Sequence, residues 1–142
     1  MSVASDRMRA AVTRRAGDRC EYCRLPTIGQ AATFPLDHVM PRDRGGLTVL
    51  ENLALACPVC NGHKWKHVEG TDTESGASVM LFNPRVHDWS DHFVWSKAEI
   101  GVLQARSAIG RATINRLQMN ADEMLATRGV LVGLGLFQEV LE

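Results

Sequence analysis

The apolar positions of this chain fall into short runs with two different periods. Over residues 5–19, Met8, Ala11 and Val12, then Arg15 and Ala16, recur at helical spacing, which predicts an N-terminal helix that Gly17 stops. Cys20 to Cys23 then forms a tight knuckle. Ala31 to Val39 reads as a strand, Pro41 to Gly46 as a turn rich in turn formers, and Leu47 to Leu50 as a second short strand. Asn52 to Ala56 reads as a connector, and Pro58 to about His67 as a helix, because proline is tolerated in a first turn. The middle of the chain is therefore strand, turn, strand, connector, helix, with a cysteine pair at each end.

The second half is less regular. Gly70 to Ala77 is polar loop, and Val79 to Phe82 a short strand that ends at Asn83-Pro84. His92 to Trp95 has strand composition, and Lys97 to Leu103 reads as another strand or extended segment. The best helix here is Ser107 to Met119, where Ile109, Ala112/Thr113 and Arg116/Leu117 repeat at three and four. Met124, Leu125 and the terminal VLVGLGLFQEVL suggest one more helix, interrupted by glycines at about 1 kcal/mol each. No repeat, low-complexity tract or long linker divides the chain. The expectation is one domain over residues 1–142, with a core at about 15–67 and residues 68–142 packed on it as a C-terminal extension.

An apolar fraction of 45% in 142 residues argues against disorder and allows a real core. No apolar run reaches the roughly 18 residues of a membrane span, and Gly129 to Phe137 reads as a docked terminal element. The start MSVASDRMRA lacks the apolar stretch of a signal peptide, so neither export nor a membrane anchor is expected. The net charge is zero, yet residues 1–66 carry ten Lys/Arg against six Asp/Glu while residues 67–142 carry six against ten. Attraction to a phosphate backbone is local, so a basic first half still permits it. The arginines of the first helix, Arg7, Arg9, Arg14 and Arg15, read as a solvated face from which one or two could meet phosphate.

Four cysteines in two CxxC pairs, Cys20/Cys23 and Cys57/Cys60, separated by 33 residues, suit one tetrahedral zinc better than disulfides. Four thiolates close the shell, which makes such a site structural, and the metal would contribute folding free energy. Reduced, metal-bound thiols point to a reducing compartment and hence a cytoplasmic location.

Between the knuckles lie Asp37-His38 at the end of the first strand, Asn52 after the second, and Asn61-Gly62-His63 in the helix. That set offers an oxygen ligand, a general base and further polar groups around a hard cation. The stretch LDHVMPRDRGGLTVLENLALACPVCNGHK, with CxxC before it, resembles the HNH endonuclease family, strongly over residues 15–66. The later runs VMLFNPRVHDWSDHFVW and GRATINRLQMN resemble the C-terminal extension of bacterial members, to about residue 120. The resemblance implies an α+β fold: a small ββα-metal (HNH, His-Me finger) nuclease core with a structural four-cysteine zinc site, flanking helices and short strands. It implies Asp37 as a ligand of a catalytic Mg²⁺ or Mn²⁺, and His38 as the base that deprotonates the attacking water. Asn52 would orient His38 or brace the loop. Asn61, where many members have a histidine, would complete the metal site through its amide oxygen. His63 is the alternative ligand, although two positions along a helix do not share a face with Asn61. Lys64, Arg42 and Arg15 would meet phosphate. Trp65 stands four beyond Asn61, where some nucleases add a further histidine ligand.

The remaining histidines, His67, His87 and His92, read as surface or partly buried polar residues. Trp89, Phe93 and Trp95 read as core or interface aromatics, and Arg85 as reaching either nucleic acid or a carboxylate. The implied function is a metal-dependent DNA endonuclease of low or unknown specificity, acting as monomer or homodimer, with RNA as another possible substrate. The alternatives are a zinc-stabilised nucleic-acid-binding or interaction module without competent catalytic metal binding, and a structural partner in a larger complex. Intact Asp37, His38 and Asn52 favour the enzyme; Asn61 and zero net charge favour a module.

Overall fold

The computed structural model describes residues 4–142, so the first three residues of the MSVASDRMRA start lie outside the described residues. The N-terminal helix, α1, runs Asp6–Arg15, opened by the Ser5 hydroxyl, which accepts the Met8 N–H at 3.1 Å. Its one fully buried side chain, Val12, faces β2. The first knuckle follows, with the Cys20 N–H donating to Leu25 O at 2.8 Å and Arg24 in the left-handed region at φ 71°.

The central unit is a hairpin and a helix. Strands β1 (Leu36–His38) and β2 (Leu53–Leu55) are antiparallel in the register Leu36↔Leu55, Asp37↔Ala54, His38↔Leu53. Helix α2 (Pro58–Lys64) starts at Cys57, whose Sγ caps the Cys60 N–H, with Pro58 in its first turn. This is the ββα arrangement expected, but the strands sit elsewhere than the apolar runs suggested. The first strand is three residues, confined between Pro35 and Pro41, rather than Ala31 to Val39. The second is the stretch read as a connector. Leu47, Val49 and Leu50 are 66%, 36% and 39% exposed, whereas Leu53, Ala54 and Leu55 are at most 1% exposed. Asn52 decides the matter: its side chain takes the Met40 N–H and donates to the Met40 and Leu47 carbonyls, which closes residues 40–52 into a surface loop. Gly46 turns inside that loop, where a Cβ would come within 1.7 Å of Met40 O.

α2 ends at Lys64 rather than about His67, because Trp65 turns to φ 47° and ψ −117°. A second hairpin, β3 (Glu69–Thr71) with β4 (Ser78–Met80), replaces part of the expected polar loop. A helical turn α3 (Trp89–His92) leads into β5 (Phe93–Trp95), paired with β6 (Leu103–Ala105), so the extended stretch before Leu103 is a turn whose strand begins where the expectation ended. Helix α4 (Ala108–Leu117) matches its periodicity and packs on β3, β4, α2 and β6. Gly110 lets it approach the end of α3, since a Cβ there would lie 2.1 Å from His92 O. Helix α5 (Asp122–Gly133) and a last 3-10 turn, Gln138–Leu141, finish the chain. One buried cluster joins both knuckles, the ββα unit and the later elements, including Phe82, Phe93, Leu117, Met124 and Phe137. Among the described residues no helix is long and apolar enough to cross a membrane.

Candidate functional site

The two knuckles converge. The Sγ atoms of Cys20, Cys23, Cys57 and Cys60 all lie within 4.8 Å of one another, and the four residues are buried. Zn–S bonds of about 2.3 Å in a tetrahedron set neighbouring sulfurs about 3.8 Å apart. Cys23 Sγ and Cys57 Sγ are 3.8 Å apart, which fits a shared metal and is far too long for a disulfide. Within the buried cluster the shared thiol hydrogen bonds hold Cys57 well below its usual range and push Cys23 and Cys60 above it, so a single thiolate is favoured until a cation joins the four. Arg128 of α5 supplies an independent test. It is wholly buried, and its Nε and Nη1 have no hydrogen-bond partner among the described residues. Burial lowers its pKa, and Cys23, Cys60 and Cys57 act in the opposite direction. A tetrathiolate zinc centre, with two net negative charges, is a suitable counter-charge for this guanidinium. The donor set, its spacing and Arg128 all fit zinc.

Next to the knuckles along α2, Asp37, His38 and Asn61 line one open cleft of about 260 Å³, together with Arg42, Trp65 and Lys66. β1 presents the first two residues and the first turn of α2 the third. His38 is fixed by Nε2 against Thr48 Oγ1 at 2.9 Å. Burial and then the Arg42 charge hold its pKa below the ordinary histidine value, against Asp37, so the ring is neutral at neutral pH. The Asp37 carboxylate is 4% exposed and lies between Lys64 Nζ, at 3.0 Å from Oδ2 and 3.2 Å from Oδ1, and the Tyr22 hydroxyl, which donates to Oδ2 at 2.6 Å. Burial pushes its pKa up, while Lys64 and Tyr22 pull it back.

Several expected residues have other duties here. Lys64 does not stand at the phosphate side: it is 1% exposed, and its ammonium also donates to His38 O and Val39 O. A cation on this face of α2 points into the hairpin, where Asp37 neutralises it. Arg15 stays on the surface, but its guanidinium donates to the Leu50 and Leu53 carbonyls and so supports the entry to β2. Asn52 braces the loop, and the hydroxyl that holds His38 comes from Thr48 instead. His63 is exposed on α2 and is not among the residues lining the cleft, as its offset from Asn61 requires. Arg42 does line the cleft. Arg85 reaches a carboxylate, pairing with Glu21.

Sequence reasoning missed Tyr22 and Thr48. A tyrosine between two metal ligands is destined for burial, and its hydroxyl then needs a partner, so Tyr22 carried a usable signal. Nothing distinguished Thr48 from its neighbours until the loop closed.

Residues 20–68 match the family model of the HNH endonucleases. The matched segment holds both knuckles and the ββα unit, and over it the chain is similar to this family of nucleic-acid endonucleases. Over 135 residues the chain is 23% identical to the Septu protein PtuB of Bacillus thuringiensis, an alignment covering 94% of this chain and 49% of that protein. The chain thus spans about half the length of the curated relative it matches. No solved structure matches it significantly.

Proposed function

We propose that the protein is a metal-dependent endonuclease that hydrolyses phosphodiester bonds in DNA, with low sequence specificity. The observation that carries this reading is the shared cleft of Asp37, His38 and Asn61. A carboxylate and an amide oxygen are hard donors that suit Mg²⁺ or Mn²⁺ rather than a second zinc. A carboxylate has about four acceptor positions; Lys64 and Tyr22 make three contacts to Asp37, which leaves one for a cation. When bound, the ion supplies charge neutralisation at the phosphate and at the leaving oxygen. Asp37 and Asn61 would hold it. His38, with Nε2 directed at Thr48, keeps Nδ1 to take the proton of the attacking water. Arg42 and Lys66 attract the phosphate backbone. One cleft per chain cuts one strand at a time, so paired cuts need a second copy. Reduced thiols suit a cytoplasmic enzyme.

The buried Asp37–Lys64 pair favours a second reading, a zinc-stabilised binding module in which Asp37 is structural. Zinc-loaded protein incubated with supercoiled plasmid, with and without Mg²⁺ or Mn²⁺, separates the two. Metal-dependent relaxation that is lost in a folded His38→Ala variant supports the nuclease. An intact protein that converts no plasmid supports the module.

A further inference from the structure

Trp65 is poorly explained by the fold. It is 64% exposed, although a large apolar ring gains stability by burial. It also ends α2 with φ 47° and ψ −117°, a positive-φ conformation outside the left-handed helical well that suits glycine. Both its surroundings and its backbone therefore disfavour tryptophan. Among the described residues its ring contacts are the Lys66 ammonium, 4.4 Å from the ring centroid, and the edge of His67 at 5.9 Å. Neither buries it. Yet it lines the cleft with His38 and Asn61, between Arg42 and Lys66.

An exposed aromatic ring among cations beside a phosphate-cleaving site has the chemistry of a nucleobase platform. Bases stack on aromatic side chains with little dependence on sequence, while neighbouring cations follow the backbone. In a duplex the base faces are already covered by their neighbours, so only an unpaired nucleotide can offer one. The Lys66–Asp43 ion pair at 3.0 Å is exposed on both sides, which makes it weak and easily exchanged for a phosphate.

We propose that Trp65 stacks an unpaired base next to the scissile phosphate, and that single-stranded or locally unpaired nucleic acid is the preferred substrate. This rests on the nuclease reading of the cleft. The test uses zinc-loaded protein carrying His38→Ala, so that substrate survives, and fluorescence anisotropy with labelled oligothymidylate or a duplex of equal length. Trp65→Ala and Trp65→Gly should each weaken single-strand binding by roughly 5- to 150-fold, with duplex binding unchanged. Trp65→Phe should retain most of the affinity. Trp65→Gly relaxes the positive-φ backbone, so its melting temperature should not fall, which separates lost stacking from lost structure. Single-strand affinity that survives in the Ala and Gly variants, or an equal loss on both oligonucleotides, overturns the proposal. If the native protein still relaxes plasmid in that case, only the stacking role falls. If the native protein neither cuts nor binds, the nuclease reading falls with it.

Discussion

Replacing Lys64 with methionine keeps most of the aliphatic stem and removes one buried charge. The ammonium is held by Asp37 at 3.0 and 3.2 Å and by the His38 and Val39 carbonyls at 3.3 and 3.1 Å, with both charged side chains under 5% exposed. Without it, Asp37 keeps the Tyr22 hydroxyl as its remaining partner within 2.6 Å and stays out of water. Removing one member of a buried ion pair costs about 3–5 kcal/mol, because the other charge is left uncompensated. Domain stabilities are about 5–15 kcal/mol, so the variant should lose roughly a fifth or more of its stability. Urea denaturation of zinc-saturated protein at neutral pH measures this as a lower midpoint with an unchanged slope. The double variant Asp37→Asn/Lys64→Met should recover part of the loss, as expected for directly coupled residues. A cost below about 1 kcal/mol for Lys64→Met would refute the reasoning. It would mean that the ammonium spends its time in solvent, free to meet phosphate.

Removing zinc with a chelator should unfold the protein, because all four ligands lie in the core; circular dichroism should show the loss, with recovery on adding zinc to the native chain but not to Cys57→Ser. Asn52→Ala should cost about 1–3 kcal/mol and slow cleavage, while Asn52→Asp should cost more, since it sets a carboxylate against the Met40 and Leu47 carbonyls; denaturation midpoints rank the two. Hydrogen bonds from Arg111, then from Ser75 and the Glu74 backbone, hold the Asp72 carboxyl well below the usual carboxylate range. A depressed folded pKa gives stability that is present above the unfolded value of about 4 and is lost as pH falls, so the melting temperature of the native chain should drop more steeply into acid than that of Asp72→Asn.

The elements that could be read from the sequence are those whose own residues decide their state. α4 has a one-sided apolar stripe, a Ser107 cap and Gln118 in the left-handed region at its end, and its periodicity located it. The two CxxC pairs likewise announced that four sulfurs converge where a metal could be held, because four thiolates have few other uses at that spacing. β2 was misplaced because Leu47, Val49 and Leu50 are as apolar as Leu53 to Leu55, and three-residue strands carry almost no period. The choice between the two runs is made by Asn52 and the Gly46 turn, whose partners are distant in sequence. At the site, the positions of Asp37, His38 and Asn61 were legible, but the inward turn of Lys64 was not. A lysine on a helix reads as solvent-facing unless the carboxylate that receives it is known to lie beneath.

The same distinction changes how the charge of the first half is understood. Its excess of cations permitted a local attraction to phosphate, yet much of it is used within the fold. Arg19 and Arg24 meet Glu139 from the C-terminal turn, Arg9 and Arg15 serve backbone carbonyls, and Lys64 meets Asp37. Glu139 also receives the Trp95 indole N–H, while Phe137 packs on Trp95, so the acidic tail docks against the first knuckle. At the cleft itself the cations are Arg42 and Lys66. A protein that neutralises Z phosphates shows a slope of log K against log salt of about −0.9Z on duplex and about −0.7Z on single strands. Two cations therefore give a slope between about −1.4 and −1.8, shallow for a nucleic-acid enzyme. Binding of oligonucleotides by the His38→Ala variant across a salt series measures it. A slope steeper than about −4 would require at least twice as many contacts. The arginines of α1 would then belong to the nucleic-acid interface, and the cleft alone would not account for affinity.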